Sequence, residues 1–135
     1  MATIMTTPVQ ARYLADSVTT ASPARLLVML YDRLVRDLAQ AEDALRAGDR
    51  ETGGDRLMHA QEIVMELRGS LDLEVWDGAP GLAALYGFLI NELIKANIHA
   101  DADLAGTCRG LVEPLRDAWR EAALAVVPAT SALAA

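Results

Sequence analysis

The sequence predicts an all-α fold, an antiparallel four-helix bundle with a short extra helix at the N-terminus. Apolar residues recur at spacings of three and four through most of the chain, which is the period of one face of an α-helix. Short breaks that contain Gly, Pro or Asp divide this pattern into four long stretches. Helices joined by such short connections pack antiparallel. No stretch shows the alternation of apolar and polar residues that is typical of a strand.

The first long helix is the most strongly marked element. A short helix from Pro8 to before Thr19 precedes it, with too few apolar positions to be stable alone. Ser22 is a suitable N-cap, and Pro23 suits the first helical position because its ring fixes φ near the helical value. The long helix should end at Gly48, after about 25 residues. Its predicted inner face is Leu27, Leu30, Tyr31, Leu34, Leu38, Ala41 and Leu45.

The second long helix should be capped by Asp49, although Gly53 and Gly54 weaken its start. A loop is predicted over residues 72–81, where two Gly and one Pro occur. The apolar face that precedes this loop is Leu57, Ala60, Val64, Leu67 and Leu71.

The third helix is predicted from Leu82 to about Asn97, with Leu82, Leu85, Tyr86, Leu89 and Leu93 on its inner face. Asp101 or Asp103 should cap the last helix, and Pro128 should end it. Residues 1–128 are expected to form one domain, followed by a flexible tail over residues 129–135. The inner face of the last helix is predicted as Leu104, Cys108, Leu111, Leu115, Ala118 and Ala122.

Composition restricts the class of protein and its partners. A chain of 135 residues fits one domain. The net charge of −7 argues against nucleic acid as a partner, because phosphate contacts need clustered Lys and Arg. A single cysteine, Cys108, excludes an intramolecular disulfide. No apolar run approaches the ~18 residues of a membrane span, and no signal-peptide pattern opens the chain. We therefore expect a cytoplasmic protein without membrane insertion.

Catalytic and metal-binding motifs are missing from the sequence. Neither His59 nor His99 follows a Glu by three residues, as a di-iron bundle requires. Two His on different helices and one Cys leave no zinc spacing, and there is no glycine-rich phosphate loop. Cys108 falls on the predicted core face, although a triad with a distant His stays open. The prediction is a non-enzyme without cofactor or metal, with both His at the surface or rim.

Apolar residues beyond the four core faces are the one unusual feature. On the third helix they cluster about 120° from the centre of the core face. Wide apolar faces in a compact bundle are one interpretation. The other is a groove that receives a partner helix, in which small residues allow close approach and Met adapts its shape. These residues are Val28, Val35 and Ala39, then Met58 and Met65, then Ala83, Gly87, Ile90 and Ile94.

Four blocks of the chain resemble the flagellar export chaperone family (FliS), over about residues 9 to 122 in order. The combination of the blocks is specific, whereas no single block is. The matching residues are Tyr13, Val18, Thr20, Ser22-Pro23 and Leu26 to Asp32; Gly48-Asp49, Leu57, Ala60 to Val64, Glu66-Leu67 and Ser70 to Asp72; Leu85-Tyr86, Phe88, Leu93, Ala96-Asn97 and Asp101; and Leu115 to Trp119.

The resemblance implies a helical bundle that binds newly made flagellin in the cytoplasm. In that family the client is the C-terminal segment of flagellin, which wraps round the bundle as short helices. Binding blocks premature filament assembly and keeps the subunit ready for flagellar type III secretion. An anti-sigma factor and export-gate components are further partners that the resemblance implies, and the N-terminal segment can cover part of the groove. The predicted groove residues are Tyr13, Val28, Val35, Met58, Met65, Ala83, Gly87, Ile90 and Ile94.

The sequence departs from the family pattern at three places. Residues 78–81 (Gly-Ala-Pro-Gly) replace a pair of Gly, Gly87 stands where Asp is frequent, and Asn91-Glu92 replaces two basic residues. The first difference concerns the loop and the start of the third helix. The other two concern the charge pattern of a client contact and leave the apolar groove unchanged. The alternative, from a different class, is a structural or adaptor bundle that self-associates through the same apolar residues and has no secretion client.

Overall fold

Four α-helices make up almost all of the structure, a computed structural model that describes residues 23–71 and 78–134. Within these ranges 93% of the residues are helical and none is in a strand. The helices pack against one another, which confirms the predicted all-α four-helix bundle. The predicted short N-terminal helix and the Ser22 cap lie outside the described residues. The helices are α1 (Pro23–Arg46), α2 (Arg50–Ser70), α3 (Ala79–His99) and α4 (Ala102–Ala134).

The chain divides into two compact units. The larger unit is Tyr31–Leu115, and the smaller one combines Met1–Leu30 with Arg116–Ala135. The larger unit contains segments of all four helices and holds most of the buried side chains. In the smaller unit the described segments, residues 23–30 and 116–134, are both helical. A single domain over residues 1–128 therefore stays a prediction.

The core of the larger unit is formed by the inner faces of the four helices. The predicted faces of α1, α2 and α3 supply its largest buried side chains. On α4 the predicted face is wrong by one position: Leu111 is exposed, whereas Val112 is buried. Consecutive residues of a helix point about 100° apart, so the inner face passes through residues 105, 108 and 112. Fully buried side chains include Tyr31, Leu34, Leu38, Leu57, Val64, Leu89, Leu93, Cys108 and Val112.

Helices α2 and α3 are antiparallel neighbours that approach closely where α2 begins. Arg50 Nη2 donates a 2.8 Å hydrogen bond to the carbonyl oxygen of Ile98, near the end of α3. A Cβ atom at Gly54 would lie 3.1 Å from Asn97 Oδ1, and one at Gly53 would lie 2.5 Å from Leu45 Cδ2 of α1. Gly53 and Gly54 weaken the start of α2, but they allow it to pack closely against α1 and α3.

In the larger unit, a partly buried ion pair joins helices α1 and α4. Glu42 on α1 accepts hydrogen bonds from Arg46 Nη2 at 2.8 Å and from Arg109 Nη2 on α4 at 2.9 Å. The hydrogen bond from Arg46, and to a smaller extent the one from Arg109, lowers the pKa of the Glu42 carboxyl. A Cβ atom at Gly106 would lie 2.8 Å from a Glu42 carboxylate oxygen, so only glycine leaves this carboxylate in place.

Helix boundaries follow the predicted caps at two connections. Gly48 has φ of +81°, the left-handed conformation that glycine adopts without strain after a helix. Asp49 then accepts a hydrogen bond from the Thr52 amide at 3.1 Å, which confirms it as the cap of α2. Asp101, the first of the two predicted candidates, caps α4 by accepting from the Leu104 amide at 3.0 Å.

Two predicted boundaries are wrong, and both involve proline. Helix α3 begins at Ala79, three residues before the predicted start, with Pro80 in its first turn. The missing N–H of proline costs nothing there, because first-turn amides have no partner within the helix. Helix α4 continues through Pro128 to Ala134 instead of ending at the proline. Proline inside a helix removes one hydrogen bond and bends the axis without always ending the helix.

Candidate functional site

A strip of apolar side chains lies at the surface where α2 and α3 meet, and we call it the α2–α3 groove. Met58 and Met65 are seven residues apart and so lie on one side of α2. On α3, Ala83, Gly87, Ile90 and Ile94 step by three and four on a second face beside the core face. The two helices are antiparallel in the larger unit, and the two sets of residues meet where Met65 and Ile90 line one pocket.

The α2–α3 groove is open to solvent although its lining is mainly apolar. Met58 is 55% exposed, Met65 59% and Ile94 40%. A pocket of about 330 Å³ opens at its centre, lined by Met65, Arg68, Gly69 and Ile90. Apolar side chains that stay in water are unusual when they form one strip, because their burial would release about 25 cal/mol per Å².

The chemistry of the groove suits an amphipathic helix better than a small polar ligand. Methionine side chains are flexible and polarisable, so they adapt to different partner side chains. Gly87 and Gly69 have no side chains, so the backbone of a partner helix can come close at these positions. Arg68 lies at the rim, where its guanidinium can pair with an acidic group of a partner while its stem adds apolar surface.

Not all of the predicted groove residues lie in this strip. Val35 is 8% exposed and contributes to the core of the larger unit. Val28 lies in the smaller unit and is half-buried. Tyr13 is outside the described residues. Ile98, four residues after Ile94 on α3, is also exposed and was not among the predicted residues.

Cys108 has the environment of a core residue and lacks that of a nucleophile. Its side chain is fully buried. Burial, and to a smaller extent the negative charge of Glu92, raises the pKa of the thiol to about 11. The thiol therefore stays protonated at neutral pH, and a protonated thiol is a poor nucleophile.

No group of three or more His, Cys, Asp or Glu side chains is placed to hold a metal ion within residues 23–71 and 78–134. In the same part of the chain, no helix is both long and apolar enough to span a lipid bilayer.

His59 has a more specific position than the surface or rim site predicted for it. Its Nδ1 is hydrogen-bonded to Asp37, a buried residue on α1. Arg33 donates to the other ring nitrogen, Nε2, at 3.1 Å. The signal that could have found this cluster is Asp37 itself, a charged residue three positions after Leu34 and one before Leu38, on the edge of the core face.

Comparisons with known proteins agree on one family. Residues 5–126 match the family model described as Flagellar protein FliS. The flagellar secretion chaperone FliS of Bacillus subtilis is 32% identical over 110 residues, which cover 82% of each chain. The protein of the same name from Salmonella typhimurium is 33% identical over 108 residues, covering 78% of this chain and 80% of the relative. That from Escherichia coli is 31% identical over 111 residues, covering 81% and 82%.

Proposed function

Since the chain belongs to the FliS family of flagellar secretion chaperones, we propose that it binds the C-terminal segment of flagellin and holds it until export. The family is one of chaperones, so the chain is a flagellar export chaperone and not an enzyme. The finer proposal, with flagellin as the client and the cytoplasm as the place of binding, extends what membership of the family implies, and the exposed apolar surface supports it by fitting a helical client.

The α2–α3 groove is the observation that carries this proposal. A flagellin segment that is unfolded before binding would form a helix and place its apolar side against Met58, Met65, Ile90 and Ile94. Burial of these side chains would offset the entropy lost when the segment becomes ordered. The segment would then be unable to pair with another flagellin subunit, which prevents assembly before secretion.

Binding in the groove would also allow release at the export apparatus. Binding that couples to folding is weaker per Å² of interface than docking of two rigid surfaces. A client held in this way can be removed by an export-gate component without a large energy input. An anti-sigma factor is a second partner in the proposal, and it would compete for the groove if it also binds as an amphipathic helix.

The test is a titration of the full chain with a peptide of flagellin's C-terminal segment, followed by calorimetry and sizing. We expect a one-to-one complex, a gain of helix in the peptide's circular dichroism and a negative heat-capacity change from apolar burial. A peptide of the same composition in scrambled order is the control. If the chain alone forms a large oligomer and binds neither peptide, the result would favour the self-associating adaptor instead.

A further inference from the structure

A second pocket, with a polar lining, lies between α1 and α2, on the side of α2 away from the α2–α3 groove. It has a volume of about 320 Å³ and is lined by Arg33, Arg36, Asp37, Gln40, Arg56 and His59. Arg56 and His59 of α2 both contact Asp37 of α1. Met65, in contrast, shares its pocket with Ile90 of α3, so the two pockets open on different sides of the same helix.

A buried carboxylate organises this pocket. The Asp37 side chain is only 6% exposed, and its two oxygens are used by Arg56 at 3.5 Å and by His59. An arginine can only donate hydrogen bonds, so the contact from Arg33 Nη2 makes His59 Nε2 an acceptor and leaves the ring proton on Nδ1. The ring thus donates to Asp37, and the four side chains Arg33, His59, Asp37 and Arg56 form one connected network.

The charge balance of the pocket is positive, in a chain whose net charge is −7. Among the described residues that line it there are three arginines and one aspartate, which leaves an excess of two positive charges. Arg33 and Arg36 are exposed, so their guanidinium groups are accessible to a ligand, and Gln40 adds an exposed amide beside them. Each guanidinium group can bind a carboxylate through two parallel hydrogen bonds, a geometry that a lysine cannot offer.

We propose that this Arg33–Arg36–Arg56 pocket is a second interaction site, which binds a short acidic segment of a protein partner. Its size and its three arginines fit one or two carboxylate groups of a peptide. A long polyanion such as nucleic acid would also meet the acidic remainder of the surface, where like charges repel it. Since the pocket and the α2–α3 groove lie on different sides of α2, this site does not depend on the proposed flagellin binding.

The test uses fluorescent hexaglutamate titrated into the full chain at about 0.1 M salt, where the Debye length of about 10 Å screens the overall charge. We expect saturable binding that shifts the NMR signals of the Gln40 side-chain amide and the His59 ring but not of the Met65 methyl group. The double variant Arg33→Gln/Arg36→Gln should bind at least about tenfold more weakly, equal to about 1.4 kcal/mol. Both arginines are exposed, and a thermal melt checks that the variant is folded.

The matched control is Lys95→Gln/Arg120→Gln, which removes the same two charges from exposed positions on α3 and α4. It should bind hexaglutamate within about twofold of the original chain. Equal weakening in both double variants would show general electrostatic attraction and overturn the site. If inorganic phosphate binds as tightly as hexaglutamate, the proposed peptide ligand is overturned. If hexaglutamate shows no saturable binding, both the site and its ligand are overturned.

Discussion

The hydroxyl groups of Tyr31 and Tyr86 hydrogen-bond to each other inside the core, joining α1 to α3. Both side chains are buried, at 0% and 2% exposure. The bond satisfies two polar atoms that would otherwise be costly among apolar side chains. Burial first, and then the bond to Tyr31, raise the pKa of Tyr86, so its hydroxyl stays protonated in the folded chain.

The Tyr pair predicts a coupling between two conservative substitutions. Tyr31→Phe and Tyr86→Phe should each lower the free energy of unfolding by about 1–2 kcal/mol, because each leaves a buried hydroxyl with one partner fewer. The double variant should lose less than the sum, since the second substitution removes the hydroxyl that had lost this bond. Urea unfolding of the four proteins measures this coupling energy. Strictly additive losses would show that the bond contributes nothing to stability.

Two glycines four residues apart on α4 provide a matched pair of substitutions. Gly110→Ala should stabilise the chain by about 0.5–1 kcal/mol, because alanine is the better helix former and, among the described residues, no atom beyond the adjacent backbone of α4 lies within 4 Å of the added Cβ. Gly106→Ala should lose this gain, because its Cβ would displace the Glu42 carboxylate from Arg109. Chemical denaturation measures the free energy of unfolding of both variants.

A third variant assigns the cause of the difference at Gly106. In a Glu42→Ala background the carboxylate is gone, so Gly106→Ala should there recover the gain seen at Gly110. If Gly106→Ala brings no gain in that background either, the loss arises from helix packing and not from the ion pair.

Cys108 should make stability depend on pH in the alkaline range. Its pKa is raised to about 11 in the folded chain, from an ordinary value of 9.0. Between these values the unfolded chain has released the thiol proton and the folded chain has kept it. The free energy of unfolding should therefore fall as pH rises from about 9 to 11, by up to about 1.4 kcal/mol per pH unit.

The control for this pH dependence is Cys108→Ala, which keeps every other titrating group. Its free energy of unfolding should fall less steeply over the same range, even though the smaller side chain makes it less stable throughout. Parallel curves for the two proteins would contradict the raised thiol pKa.

The α2–α3 groove predicts that charge on its α3 side abolishes client binding. Ile90→Asp and Ile94→Asp should remove measurable binding of the flagellin peptide, because a carboxylate would have to lose its water without gaining a partner. Ile94→Asp should leave the thermal melt almost unchanged, since that side chain is already 40% exposed. Ala84→Asp places the same charge at an exposed position of the same helix and should bind normally.

The opposite pattern would correct this assignment. Unfolding of both Asp variants would place Ile90 and Ile94 in the core, as the interpretation of wide apolar faces requires. Stable variants that still bind the peptide would move the client surface elsewhere, with Val28 and its neighbours on α1 as the next residues to change.

The sequence predicted the helices well because apolar periodicity and capping residues are local signals. Asp49 and Asp101 cap their helices as expected, since a cap needs only the next three residues. The inner face of α4 was misplaced because Leu111 and Val112 are both apolar, and only their neighbours in space decide which one is buried. Asp37 on the edge of the core face is a local signal of a buried charge, but its partner His59 lies on another helix and no local spacing identifies it.

The burial of the single native cysteine also makes the chain suitable for site-specific labelling. A thiol that is inaccessible and protonated at neutral pH reacts slowly with maleimide reagents. A new cysteine on an exposed position, such as Met58→Cys or Arg36→Cys, would then take up the fluorophore or spin label selectively. The distance from either pocket to a labelled partner becomes measurable without removing any native residue from the core.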